Sequence, residues 1–192
     1  MIDTGDTAFI LAAAIVLGPR KGYGKESFMP HNLPMTLIGT GLLLFGWFGF
    51  NGGSALAANG IAVTAFVSTH LGGMAGMAMW TLVEWLHRGK PTTLGAASGA
   101  IAGLATITPA AGFVGPNAAV IIGLIAGASC YYGVSLKGRL GYDDSLDVVG
   151  IYAFALSWVM FKAVDMTMGL RLAMDSGESG LDLSEHSETA YS

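Results

Sequence analysis

His70 is the clearest candidate for chemistry inside an apolar stretch of this sequence. It lies near the middle of the run Gly60–Leu86, and no carboxylate stands three or four residues away to pair with it on the same helix. A polar group at membrane depth is costly unless it is paired or hydrated. We interpret His70 as a packing residue that meets a partner on another helix, with a role along a substrate path as the alternative.

Aromatic side chains and one hydroxyl form the second candidate group. The run from Leu42 to Gly60 places Trp47 and Phe50 among glycines and then reaches Ser54, with no charged residue nearby. Taken alone, such aromatics are typical of the belt at a membrane–water interface.

Signatures of soluble enzymes are absent from the sequence. It contains no Walker loop, no HExxH motif and no nucleophile elbow. Cys130 is the only cysteine, which excludes an internal disulfide and a thiolate metal cluster. Lys162 and Asp165 are spaced for a structural pair on a helix surface. We therefore expect no enzyme activity, no cofactor, no metal site and no nucleic-acid partner.

The composition places these residues in a lipid bilayer. Hydrophobic residues make up 53% of the chain and charged residues 11%, against roughly 25% charged residues in soluble domains; the mean hydropathy is +0.59. The shorter run Ala8–Leu17 predicts the remnant of a transmembrane helix. Runs of about 20 apolar residues or more can cross the hydrocarbon core as helices, and they are Leu33–Ala55, Gly60–Leu86, Thr93–Phe113, Pro116–Leu136 and Val148–Leu170. The predicted fold is an all-α, polytopic transmembrane bundle of about five full spans.

Positive charge alternates between the connections of these runs. Basic connections favour the cytoplasmic side, so we predict a multi-pass cell-membrane protein in which the stretch Phe50–Asn59 faces outside. The charge-free connections are Asn51–Asn59 and Ala110–Pro116, and the cations of the basic connections are Arg20, Lys21, Lys25, Arg88, Lys90, Lys137 and Arg139.

Glycines recur every four residues in two of the runs. Gly95, Gly99 and Gly103 form one such series, and Gly123 and Gly127 form another. This spacing places bare backbone on one face of a helix, where a neighbouring helix can approach closely. The pattern predicts a tightly packed bundle.

Several segments of the chain resemble the ammonium transporter family (Amt/Mep/Rh). They are "LGPRKGYGKESFMPHNLPMTLIGTGLLLFGWFGFNGGSALAANG", "EWLHRGKPTTLGAASGAIAGLATITPAAGFVGP" and "GRLGYDDSLDVVG". The similarity extends roughly from Ala13 to Gly150, and "GLDLSEHSETAY" resembles the family's cytoplasmic tail. The resemblance implies the second of two inverted helical repeats, here incomplete.

Site residues follow from that resemblance by motif. Phe50 would be one ring of the family's phenylalanine gate, Ser54 the hydroxyl of the outer vestibule, and Trp47 part of the same wall. Such groups suit a cation that sheds water, because an aromatic face and a neutral oxygen both attract it. The substrates implied are ammonium and methylammonium, and the partners implied are a homotrimer and a PII-type nitrogen-signalling protein.

The chain also departs from the family pattern. The two histidines that share a proton in the family's path fall, counted without gaps, on Asp3 and Tyr152. The segment after Gly150 resembles the family's final helix, which indicates an internal deletion of one helix. The expected divisions are a helix remnant at 1–17, the membrane domain at 18–150, the last helix at 151–171 and an acidic cytoplasmic-type tail at 172–192.

These features lead to three functional hypotheses. The first is ammonium transport by family membership, with this isolated chain not competent to conduct. The second is a non-conducting membrane partner of intact transporter subunits. The third is a docking module whose acidic tail binds a PII-type protein.

Overall fold

The computed structural model describes residues 12–25, 31–141, 143–144 and 147–154. The chain divides into two compact units, Met1–Ser157 and Trp158–Ser192, and the second unit lies outside the described residues. Within the described part the structure is helical without strands, as predicted. Residues 12–17 are helical.

Four long helices follow: α1 (Leu33–Gly53), α2 (Gly60–Arg88), α3 (Thr93–Ile107) and α4 (Pro116–Leu140). Polar caps at their first turns explain where the first three begin. The side chains of Asn32, Asn59 and Thr92 each accept a bond from a backbone N–H of the turn that follows, which occupies a donor that the helix cannot pair internally. Helices α2 and α4 are capped at their carboxyl ends by Gly89 and Gly141, both in the left-handed conformation that glycine adopts without strain.

The described residues contain four candidate membrane spans: Leu33–Gly53, Gly60–Arg88, Thr93–Ala110 and Pro116–Lys137. These correspond to the first four predicted runs. The third helix is shorter than the predicted run to Phe113, because α3 ends at Ile107 and passes into a single 3-10 turn, Thr108–Ala110. Pro109 contributes to the change, because proline has no N–H to donate to the carbonyl oxygen four residues earlier.

Helix α2 packs against both α3 and α4, and bare backbone mediates the contacts. A Cβ added at Gly103 would lie 2.2 Å from the carbonyl oxygen of Gly72, and one added at Gly127 would lie 2.4 Å from that of Gly76. No side chain fits between backbones this close. The close packing predicted from the glycine spacing is confirmed.

A short π-helical segment, Val149–Phe154, follows α4. The carboxylate of Asp144 accepts a bond of 2.7 Å from the backbone N–H of Val149, and Ile151 joins the core beside Cys130 and Tyr131. The rest of the fifth predicted run and the tail at 172–192 lie outside the described residues, as do Asp3, Lys162 and Asp165.

Candidate functional site

Trp47 lies on the inner side of α1, close to its carboxyl end. Its indole Nε1–H donates a hydrogen bond of 2.8 Å to the hydroxyl of Thr108, at the turn that ends α3. Its ring meets that of Phe50 edge to face, with centroids 5.9 Å apart. The half-buried Trp47 is thus tied to α3 on one side and to an aromatic neighbour on the other.

Phe50 and the C-cap residue Ser54 continue the same face at the carboxyl end of α1. Residues three and four apart on a helix are neighbours on its surface, so the positions 47, 50 and 54 follow one another along that face. The Phe50 side chain is 56% exposed, and the exposed hydroxyl of Ser54 donates a bond of 2.6 Å to the carbonyl oxygen of Phe50. The structure therefore brings three of the four candidate residues together at the end of α1.

Asn51 belongs to the same cluster, although the sequence interpretation did not select it. It is the only buried residue of α1, 6% exposed. Its side-chain Nδ2 donates to the Thr69 hydroxyl at 2.8 Å and to the Thr108 hydroxyl at 3.4 Å. The available sequence signal was a polar asparagine in an apolar helix, four residues after Trp47. Polar groups that are buried in proteins are normally hydrogen-bonded, so this residue pointed to a partner on another element.

His70 lies apart from this cluster. Its exposed imidazole is beside the ring of Phe48, with centroids 5.9 Å apart, and Phe48 in turn stacks on Phe66 at 4.3 Å. Among the described residues His70 makes no hydrogen bond. Both the packing interpretation and the substrate-path alternative therefore stay predictions.

Ion pairs join the connections at the opposite end of the bundle. The backbone N–H and the guanidinium of Arg20 both donate to the carboxylate of Asp143, at 2.7 to 2.8 Å. This contact lowers the pKa of Asp143 to about 2. Lys137 contacts the Asp147 carboxylate and the Asp144 carbonyl oxygen, whereas burial raises the pKa of Asp147. Two connections separated by more than a hundred residues thus meet at one end.

Glu84 connects α2 to the beginning of α3 at this same end. Its carboxylate is nearly fully buried and accepts bonds from the backbone N–H and the hydroxyl of Thr92. A Cβ at Gly95 would lie 2.1 Å from one of its oxygens. Glu84 is therefore a structural group here.

Comparison with known proteins decides the family. The profile described as Ammonium Transporter Family matches residues 6–152. The chain belongs to the ammonium transporter family. Proteins of this family are membrane transporters rather than enzymes, which agrees at family level with the absence of enzyme signatures.

Individual relatives give the extent of the similarity. An ammonium transporter of Bacillus subtilis is 42% identical over 239 residues, covering 99% of this chain and 58% of the relative. One from Mycobacterium tuberculosis is 50% identical over 151 residues, covering 79% of this chain and 31% of the relative. The crystal structure of Saccharomyces cerevisiae Mep2 matches with a TM-score of 0.70 and 40% identity, covering 79% of this chain and 35% of that one. The chain thus spans 58% of the Bacillus subtilis relative and about a third of the other two proteins.

Proposed function

We propose that the cluster of Trp47, Phe50 and Ser54 recognises ammonium at the outer mouth of a transport path. The observation that carries this proposal is the exposed Phe50 ring, which meets the Trp47 ring edge to face, with the Ser54 hydroxyl on the Phe50 carbonyl oxygen one turn further along. The connections around them, 51–59 and 110–116, contain no charged residue. A cation is attracted there by aromatic faces and a neutral oxygen, without a carboxylate to hold it tightly. The relatives named as ammonium transporters support ammonium as the cation.

Methylammonium binding tests this recognition. In detergent-solubilised protein, the NMR linewidth of the methylammonium methyl group should increase on binding. The Phe50→Ala variant should weaken binding by about 1 kcal/mol, roughly a fivefold higher half-saturation concentration. The Phe45→Ala variant, which removes an exposed ring of the same helix away from the cluster, is the matched control. Equal binding by the two variants would contradict the proposed site.

The orientation of the bundle is part of the same proposal. The Arg20–Asp143 contact supports two basic connections at one end, and the positive-inside tendency makes that end cytoplasmic. The two possible orientations can be separated by placing a single cysteine at Lys21 or at Ala57, both of which are exposed. The native Cys130 is buried, so we expect it not to react. A membrane-impermeant thiol reagent added to intact cells should label only the cysteine at 57; labelling only at 21 would reverse the orientation.

We further infer that the chain does not enclose a complete path by itself. The alignment with the Bacillus relative is 239 positions long, more than the 192 residues of this chain. The excess positions have no residue here, and they exceed the length of about 20 residues that one transmembrane helix requires. The Mycobacterium match, 151 positions over 79% of the chain, needs no such gap, and the family match ends at residue 152. These lengths support loss of one helix shortly after Gly150.

A partner chain could supply the missing wall. The exposed His70 supports this second candidate function, because an imidazole without a hydrogen bond is costly against lipid. Assembly with transporter subunits, as a homotrimer or with an intact relative, would cover it. Docking of a PII-type protein depends on the tail at 172–192, which lies outside the described residues.

A further inference from the structure

The side-chain hydrogen-bond donors of Trp47, Asn51 and Ser54 are all bonded within the protein. The indole N–H of Trp47 donates to Thr108, and the amide of Asn51 donates to Thr69 and Thr108. The hydroxyl of Ser54 donates to the carbonyl oxygen of Phe50. Each of these side chains therefore has its donor occupied before any ligand arrives.

The hydroxyls of Thr108 and Thr69 determine that the donors of Trp47 and Asn51 point into the protein. The hydroxyl of Thr108 donates to the carbonyl oxygen of Leu104 at 2.7 Å, and that of Thr69 donates to the carbonyl oxygen of Ala65 at 2.6 Å. A hydroxyl has one hydrogen and two lone pairs, so each threonine has only acceptor capacity left for its neighbours. For Thr108, the indole of Trp47 and the amide of Asn51 use both lone pairs.

The inward direction of these donors matters because the proposed ligand is a cation with no acceptor. Ammonium and methylammonium carry only N–H donors and have no acceptor, like the head group of lysine. A free donor at the mouth would have nothing to bind on such a cation and would repel it. The Ser54 hydroxyl, in contrast, keeps its lone pairs for the cation because its hydrogen is bonded to Phe50.

We propose that Thr108 is a specificity-determining positioning residue, which holds the Trp47 N–H inward so that the cluster of Trp47, Phe50 and Ser54 presents only aromatic faces and an acceptor oxygen. The proposal rests on the proposed recognition of ammonium, and it assigns the selection to a hydroxyl that need not touch the ligand. Asn51 strengthens the arrangement by occupying the second lone pair of Thr108.

The experiment compares Thr108→Val with two controls in detergent-solubilised full-length chain. Valine keeps the shape of threonine but removes the acceptor. Thr108→Ser keeps the acceptor. Thr106→Val makes the same change two residues away, at a buried hydroxyl bonded to the Ala102 carbonyl oxygen. The proton resonance of the Trp47 indole N–H, identified by its loss in Trp47→Phe, reports the hydrogen bond, and methylammonium linewidths report binding.

In Thr108→Val we expect the indole resonance to shift upfield and its proton to exchange faster with solvent. The half-saturation concentration for methylammonium should rise about tenfold, because the released Trp47 N–H would be an unpaired polar group beside the cation. Thr108→Ser and Thr106→Val should match the unsubstituted protein in both readouts, which separates positioning from a loss of folding.

Three results would overturn the proposal. An unmoved indole resonance in Thr108→Val would show that the N–H is not held by Thr108. A released N–H with unchanged methylammonium binding would remove the role in selection. Absence of methylammonium binding by the unsubstituted protein would refute the proposed recognition and the selection with it, whereas the indole resonance would still decide the hydrogen bond.

Discussion

Cells that lack their own ammonium transporters should show no methylammonium uptake above background when they express this chain alone. Recognition at the mouth and conduction through the membrane are separate requirements. A charge in hydrocarbon costs at least about 2.5 kcal/mol and up to about 17 kcal/mol without polar groups at depth. By the resemblance, counted without gaps, the positions of the family's paired histidines carry Asp3 and Tyr152, so the chain has no imidazole at either position to share a proton.

The open geometry of α1 leads to the same expectation. Phe50 is 56% exposed, and Phe45 on the same helix is 76% exposed. Within the described residues no second wall faces them. Transport paths of repeat-built transporters form between two repeats, so this chain would need another polypeptide to close one.

Uptake of radiolabelled methylammonium provides the measurement, and the Bacillus subtilis relative expressed in the same cells is the positive control. Immunoblotting of the membrane fraction must show equal amounts of both proteins. Uptake by this chain that Phe50→Ala abolishes would show that it conducts, and the inference from the replaced histidines would then be wrong. Uptake that appears only on co-expression with a transport-inactive relative would instead identify the missing wall as another subunit.

The helices were predictable because membrane spans have a strong sequence signal. Length and hydropathy alone located the beginnings of α1 to α4, and polar residues at 32, 59 and 92 supply caps at three of them. The end of α3 was missed because an apolar run continues to Phe113, although Pro109 interrupts the helix. Apolar composition reports burial in lipid, whereas backbone geometry decides where the helix stops.

The site was only partly predictable, for a different reason. Trp47, Phe50 and Ser54 came from the family motif, and their local spacing on one helix already brings them together. The side-chain hydrogen-bond partners of Trp47 and of the neighbouring Asn51 are distant in sequence: Thr108 lies 61 residues from Trp47, and Thr69 lies 18 residues from Asn51. Threonines in apolar helices commonly bond to their own backbone, so nothing local distinguishes the two that also accept from Trp47 and Asn51.

Gly103→Ala should destabilise the bundle strongly, whereas Gly46→Ala should not. A Cβ at Gly103 would lie 2.2 Å from the Gly72 carbonyl oxygen and 3.0 Å from the Gly73 Cα, both backbone atoms that cannot rotate away. Helix α2 would have to move from α3, and overpacking of this kind costs about 1–3 kcal/mol. At Gly46, on the open side of α1, a Cβ meets nothing within 4 Å, and alanine gains helix propensity of up to about 1 kcal/mol.

The matched pair isolates the close contact, because both substitutions add one methyl group to a helical glycine. Thermal unfolding of the two variants in the same detergent should place Gly103→Ala several degrees below the unsubstituted protein, since 1 kcal/mol corresponds to about 2–4 °C at this chain length. Gly76→Ala provides a second test from the facing helix, where a Cβ would lie 2.6 Å from the Gly99 carbonyl oxygen. If Gly103→Ala and Gly76→Ala both unfolded at the same temperature as Gly46→Ala, the backbones of α2 and α3 would not be in direct contact. The Trp47 and Asn51 bonds reach Thr108, in the turn after α3, and Thr69 on α2. Separation of α2 from α3 should therefore also release the Trp47 indole N–H, which would link the packing of the bundle to the geometry of the proposed mouth.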